Sequence, residues 1–283
     1  MRVIKRKRGK TTYLYLQNSV RKDGKVITRE IYLGKKLPVD IDVYKKRLEE
    51  KIGNDIYEKL ETLRKNFQKD WNRHPKSAKE KELEAIAVAF TYNTNAIEGS
   101  KITLFETMDL LENGNAPNKP IKDIKETENH RKVFFEMLGE KEPLSEKLVV
   151  HWHMELFKDT KPDIAGTFRN YGVSVGNYVA PMWWGVPKLM RDLTVFSKST
   201  KINPVELAAR VHFRFEKIHP FGDGNGRIGR LIMNYILWRN GYPMLIIENR
   251  KRRAYYKALS TEAGFTRYFL RLYLSTHESR YSR

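Results

Sequence analysis

His219-Pro220-Phe221-Gly222-Asp223-Gly224-Asn225-Gly226-Arg227, with Arg230 three residues further on, decides how this chain is to be read. The stretch joins an apolar helical pattern ending near Ile218 to another beginning near Gly226. Three glycines within five positions let the backbone approach a ligand closely and turn N–H groups toward it. The following helix adds free N–H groups and the positive end of its dipole at the same place, which suits phosphate. Arg227 and Arg230 stand one turn apart, so both guanidinium groups can reach one phosphate chain. Asp223 would be repelled by bare phosphate but suits a Mg2+ ion bridging it. His219 is the nearby group able to take a proton at neutral pH. Base, metal ligand, amide cradle and two arginines together predict phosphoryl or nucleotidyl transfer. A glycine-rich helix connection without function is the plainer reading, but here each of nine consecutive positions has a part to play.

Outward from that loop, helical spacing dominates. Ile41, Tyr44, Leu48, Ile52, Ile56, Leu60 and Leu63 recur at three- and four-residue intervals, predicting a long amphipathic helix from about Asp40 to Trp71. His74-Pro75 interrupts it, and a second helix follows to about Ile97, with Gly99 at the position of a left-handed cap. Thr103 and Glu106 have the spacing of a capping box opening a short helix that stops near Gly114. Further helices are expected over about 121–138, 145–158, 185–197, 204–218 and 227–239, with two more within 251–278. Gly166 to Pro181, rich in Val, Tyr and Gly, reads as a β-hairpin. At the other end, Tyr13 to Leu16 and Val26 to Leu33 are β-prone, and Asp23-Gly24 between them is a tight-turn pair. The fold class is therefore mainly α, with a small N-terminal β appendage. The expected organisation is an appendage at 1–38, a helical region at 39–80 and a main domain at 81–283.

Bulk properties narrow the function less. The 283 residues are 40% hydrophobic and 12% aromatic, enough to bury a substantial core. No apolar run reaches the length of a membrane span, and the basic start lacks the apolar stretch of a signal peptide. There is no cysteine, which excludes disulfides and thiolate chemistry; a cytoplasmic setting fits. The net charge of +20 is concentrated in residues 1–36, where 12 Lys and Arg face only Asp23 and Glu30. Such a balance suits an anionic partner or simply a solubilising surface.

The loop with Arg230 resembles the signature of Fic domains, matching H-x-F-x-D/E-G-N-G-R-x-x-R at every position. Gly166-Thr167-Phe168-Arg169, Val173-Ser174-Val175 and Tyr178-Val179-Ala180-Pro181 resemble that family's target-docking flap. Arg253 to Leu259 resembles its C-terminal helix. The resemblance covers about 80–280 and implies a helical bundle with a β-hairpin flap. It also implies transfer of AMP from ATP to a Ser, Thr or Tyr hydroxyl of a protein target or of the enzyme itself. Carried over by position, His219 is the general base, Phe221 anchors the loop and Asp223 binds Mg2+ or Mn2+. The amides around Gly224 and Gly226, with the Asn225 side chain, hold the α- and β-phosphates, with Arg227 and Arg230 beyond them. Val173, Ser174 and Val175 dock the target.

Thr94-Asn95-Ala96-Ile97-Glu98-Gly99 resembles the S/T-x-x-x-E-G/N pattern of the family's inhibitory helix, whose glutamate pairs with the second signature arginine, here Arg230. A carboxylate there occupies the γ-phosphate position and repels it, and ATP bound with its α-phosphate turned away loses rate. The same glutamate could orient water and reverse the reaction, and a homodimer could help to set the brake. Three other signals carry less. His151 and His153, two apart on a helix, point to opposite sides and serve packing or surface roles. Trp183 and Trp184 line either a target groove or the core. The Arg250 to Arg253 cluster reads as a solvated face before a position near the nucleotide. The rival function is a nucleic-acid-binding regulatory protein that reads its partner through residues 1–36; a phosphate-ester hydrolase is a third.

Overall fold

Leu14 and Leu16 face one side of a strand and Tyr13 and Tyr15 the other, and this alternation builds the first part of the molecule. The computed structural model describes residues 1–22, 25–38 and 40–281, in two compact units, Met1–Thr62 and Leu63–Arg283. In the first, β1 (Arg2–Arg8), β2 (Thr11–Lys22) and β3 (Lys25–Gly34) form an antiparallel sheet in that order. The sheet exceeds the expected hairpin by one strand. Sequence RVIKRKR offers β1 almost no apolar signal; its backbone ladder to β2, from Arg2↔Gln17 to Arg8↔Thr11, makes it a strand. Its charges suit an edge, where they discourage pairing with another chain. The expected Asp23-Gly24 turn lies outside the described residues. Leu14, Leu16 and Leu33 pack around Leu48 of α1 (Ile41–Arg73), joined by Ile31, Ile41 and Tyr44.

The helix α1 stops before Pro75, which lacks an N–H and disfavours helical geometry in the residue before it. Next comes α2 (Lys76–Ile97), whose end is closed by two backbone bonds, Gly99 N–H to Ala96 O at 3.1 Å and Ser100 N–H to Asn95 O at 3.0 Å. Gly99 has φ 101°, and the motif fixes Glu98 as the C-cap. The capping box of Thr103 and Glu106 opens α3 (Leu104–Asn113), as expected.

Among the described residues, seven further α-helices follow: α4 (Ile121–Gly139), α5 (Glu146–Phe157), α6 (Val186–Phe196), α7 (Pro204–Ile218), α8 (Asn225–Arg239), α9 (Arg252–Ala258) and α10 (Glu262–Tyr281). The centre of the second unit is α8, nearly every residue of which is buried; α7 packs along it, and α2, α4 and α5 also meet it. The fold is thus mainly α with a small N-terminal sheet. The expected hairpin over 166–181 shrinks to β4 (Ser174–Val175) and β5 (Tyr178–Val179). The residues before it bond the 219–227 loop instead, beginning with Arg169 N–H to Pro220 O at 2.9 Å. Among the described residues, no helix is long and apolar enough to cross a membrane.

Candidate active site

His219 caps α7 in a left-handed conformation, φ 50°, and is the one non-glycine residue with positive φ among those described. That geometry costs a residue with a Cβ about 1–2 kcal/mol, so neighbouring contacts must hold it. Arg169 supplies them. Its buried guanidinium donates through Nε to His219 O (2.8 Å), Nη1 to Tyr171 O (2.8 Å) and Nη2 to Pro181 O (2.6 Å). Burial lowers the His219 pKa and Arg169 adds to the effect, against the Glu216 backbone, Glu98 and Asp223. The imidazole is therefore kept neutral and ready to accept a proton.

Phe221 is fully buried, stacked on the His153 ring at 3.8 Å and 5°, with Phe168 and Phe215 beside it. The backbone of this loop is braced twice. Asn225 accepts from Phe221 N–H and donates to Phe221 O, both at 2.9 Å. Its side chain, expected at the phosphates, is thus turned inward, because Phe221 buries two backbone polar groups that need partners. His153 lies 3.0 Å from Asp223 O through Nε2, and its Nδ1 accepts from Gly166 N–H at 2.9 Å. His151, two residues earlier, is exposed beside Glu136. Sequence reasoning gave His153 only a packing or surface role; nothing local marks it as a brace.

The N-terminus of α8 begins at Asn225, two residues earlier than its apolar pattern suggests, because Gly224 at φ 75° serves as its N-cap. A Cβ on Gly226 would fall 2.2 Å from Glu98 Oε1, so the Glu98 carboxylate sits directly over this helix end. Glu98 Oε1 accepts from Arg230 Nη2 at 2.7 Å. Arg230 also donates to Thr94 Oγ1 (2.8 Å) and Thr94 O (3.1 Å), and is almost wholly buried. Burial opposes its charge, but Glu98, Tyr255 and Glu216 together hold its pKa above the ordinary value. Arg227 instead pairs with the buried carboxylate of Glu126 and lies over the Phe157 ring. The two arginines, read together as one phosphate clamp, are each held by a carboxylate from a different helix.

Lys161 completes the arrangement, 2.9 Å from Glu126 and 2.7 Å from Asp223. Burial pushes both acids upward, but Arg227 and Lys161 outweigh it and hold them below the usual carboxylate range. A polar cavity of about 350 Å3 opens here, lined by Asn95, Glu98, Glu126, Lys161, Asp223 and Arg227. Glu126 and Lys161 escaped sequence reasoning, since neither stands in a pattern that points at residues 101 and 62 positions away. Ser174, Val175 and Val179 of the flap are exposed, Val173 is half-buried, and Tyr178 OH bonds Lys217 O at 2.8 Å. Trp183 and Trp184 are exposed, which removes the core reading, and Arg250, Arg252 and Arg253 are solvated.

The Fic/DOC family profile matches residues 143–237, from the approach to α5 through most of α8. Over these residues the chain matches a Fic domain. It is 34% identical over 189 residues to the protein adenylyltransferase Fic of Nematostella vectensis, covering 64% of this chain and 44% of that protein. It is 34% identical over 193 residues to the protein of the same name from Drosophila ananassae, covering 64% and 38%. The chain therefore spans less than half the length of these curated relatives. Among solved structures, Fic-1 of C. elegans superimposes with a TM-score of 0.71 over 84% of this chain and 74% of that one, at 24% identity. A Fic domain containing signaling protein of Bacteroides thetaiotaomicron gives 0.66 over 78% and 97%, also at 24%. At that identity the likeness concerns the fold, and it extends well beyond 143–237. Thr94, Glu98 and Glu126 lie outside the matched profile but meet the Fic loop in space.

Proposed function

We propose that this chain is a protein adenylyltransferase, moving AMP from ATP to a Ser, Thr or Tyr hydroxyl of a protein target or of itself, and restrained by Glu98. The observation that carries the reading is the meeting of His219, the free N–H groups of α8 and two buried arginines at one end of a Fic domain. Relatives named for adenylyl transfer support the choice of AMP over phosphate. The target hydroxyl oxygen attacks the α-phosphorus, the bond to pyrophosphate breaks, and His219 takes the hydroxyl proton. Amides at Gly224, Asn225 and Gly226 hold phosphate oxygens, and Arg227 and Arg230 receive the rest of the chain once their internal carboxylates yield. Phe221 anchors the loop, and Val173, Ser174 and Val175 present an exposed edge to the target segment. Residues 81–283 are the catalytic domain in this reading.

Asp223 fits a divalent ion such as Mg2+ or Mn2+: its carboxylate is half-exposed at the cavity and kept ionised. Among the described residues no three metal-binding side chains gather, so phosphate oxygens and water would complete the shell, which Mg2+ tolerates. Such an ion would neutralise charge on the phosphates. Nothing in the relatives favours a nucleic-acid reading of the basic N-terminal sheet.

The test is incorporation of labelled AMP from ATP with Mg2+. Glu98→Gly is expected to raise self-modification above that of the unaltered chain, and adding His219→Ala to abolish it. Equal labelling with and without the Glu98 change would remove the brake; no labelling by either would remove the transferase.

A further inference from the structure

We propose that His153 is a positioning residue for the transfer, a neutral imidazole clamp that ties the catalytic loop to the segment leading into the flap. The proposal rests on the adenylyltransferase reading above. Three contacts define the ring: its face lies 3.8 Å from Phe221, its Nε2 is 3.0 Å from Asp223 O, and its Nδ1 is 2.9 Å from Gly166 N. A backbone N–H can only donate and a carbonyl can only accept. One tautomer satisfies both, with the proton on Nε2 donated to Asp223 and a bare Nδ1 facing Gly166.

The two bonded segments are those the reaction must keep in register. Asp223 belongs to the loop carrying the base and the phosphate cradle, and Gly166 begins the stretch that runs through Arg169 into the flap. Gly166 is seated on α5, since a Cβ there would meet Met154 at 2.8 Å. Arg169 joins the same segments at their far ends, binding His219 O and Pro181 O. His153 and Arg169 therefore clamp loop to flap at two points, and removing one leaves a hinge at the other. Misplacing reacting groups by about 1 Å can cost on the order of a hundredfold in rate.

Packing alone would be served by any flat ring, and this separates the two roles. In the Glu98→Gly background, His153→Phe keeps the stack and loses both hydrogen bonds. His153→Gln loses the ring but can place an acceptor toward Gly166 and a donor toward Asp223. The expected result is a kcat for labelled AMP incorporation roughly ten- to a hundredfold lower for Phe, with KM for ATP changed by less than about threefold. Gln is expected to restore most of the rate. Hydrogen exchange of the Gly166 amide should quicken about tenfold or more in the Phe variant and stay slow in the Gln variant, at matched global stability. Full kcat in His153→Phe, or equal losses in Phe and Gln, overturns the proposal. Should the Glu98→Gly parent itself incorporate no label, the transferase reading fails. Gly166 exchange then decides the clamp, and unchanged exchange in His153→Phe overturns it.

Discussion

Arg230 is a buried cation that the fold must satisfy, and Glu98 does so at the place where the triphosphate would lie. In the adenylyltransferase reading, stability and catalysis pull in opposite directions on that pair. Because Glu98 keeps about a third of its side-chain exposure (31%), the ion pair is partly screened. Thr94 and Tyr255 continue to bond Arg230 without it. We expect Glu98→Gly to lower the unfolding free energy by about 1–2 kcal/mol while raising AMP incorporation, read from denaturant midpoints beside the labelling assay. A variant that gained activity at no loss of stability would mean that Glu98 is not the countercharge of Arg230. His219 yields a second expectation. It must be neutral to act as a base, and its folded pKa lies below the ordinary 6.5. The acid limb of kcat/KM for the Glu98→Gly protein should therefore fall below pH 6.5, and a midpoint above that value would exclude His219 as the base.

At the scale of elements, the start of α8 is the joint on which the site depends. Gly224 combines φ 75° with a packing limit: a Cβ would come within 2.2–2.4 Å of two Phe157 ring atoms, and Phe157 is itself fully buried. Neither the backbone nor the ring has room to give. Gly224→Ala is expected to destabilise the protein by about 2–4 kcal/mol and to remove labelling, because the first turn of α8 shifts. Wild-type melting behaviour in that variant would contradict the packing described here. The end of α2 works by the opposite logic, since Gly99 leaves open space around its missing Cβ and is held by conformation alone. There, Gly99→Ala should cost about 1 kcal/mol and loosen Glu98 at the same time, visible as a modest rise in labelling.

Over the whole molecule, buried titratable groups set how stability responds to pH. His130 and His212 are lowered to about 3 and His277 to about 4, in each case chiefly by burial. Unfolded, each takes a proton near 6.5, so between that value and the folded pKa the unfolded chain binds more protons. Their contribution is intact above pH 6.5 and is lost as pH falls toward 3. Glu216 runs the other way. Its carboxyl is mostly buried and raised by burial from 4.5 to about 7, so its contribution holds below pH 4.5 and is lost as pH rises through 7. Replacing it by Gln should raise the melting temperature more at pH 8 than at pH 5. Equal gains at both would show that the carboxyl is not held neutral.

Most helices and the glycine-rich turn between α7 and α8 were legible in the sequence because both are local. Apolar spacing of three and four residues survives in the final fold, and the Thr103-Glu106 box and the Gly99 closure form within a few residues of backbone. The N-terminal strand β1 was hidden, since its identity comes from a neighbour's ladder and not from its own side chains. The flap shortened because Arg169 diverts its approach to the loop. Which side chains meet at the site was decided by tertiary packing alone. Glu126 reaches Arg227 across 101 residues, Lys161 reaches Asp223 across 62 and His153 reaches that same residue's carbonyl across 70. Such partners are selected by the need of buried charges and backbone groups for a counterpart, and a one-dimensional pattern does not record where that counterpart stands.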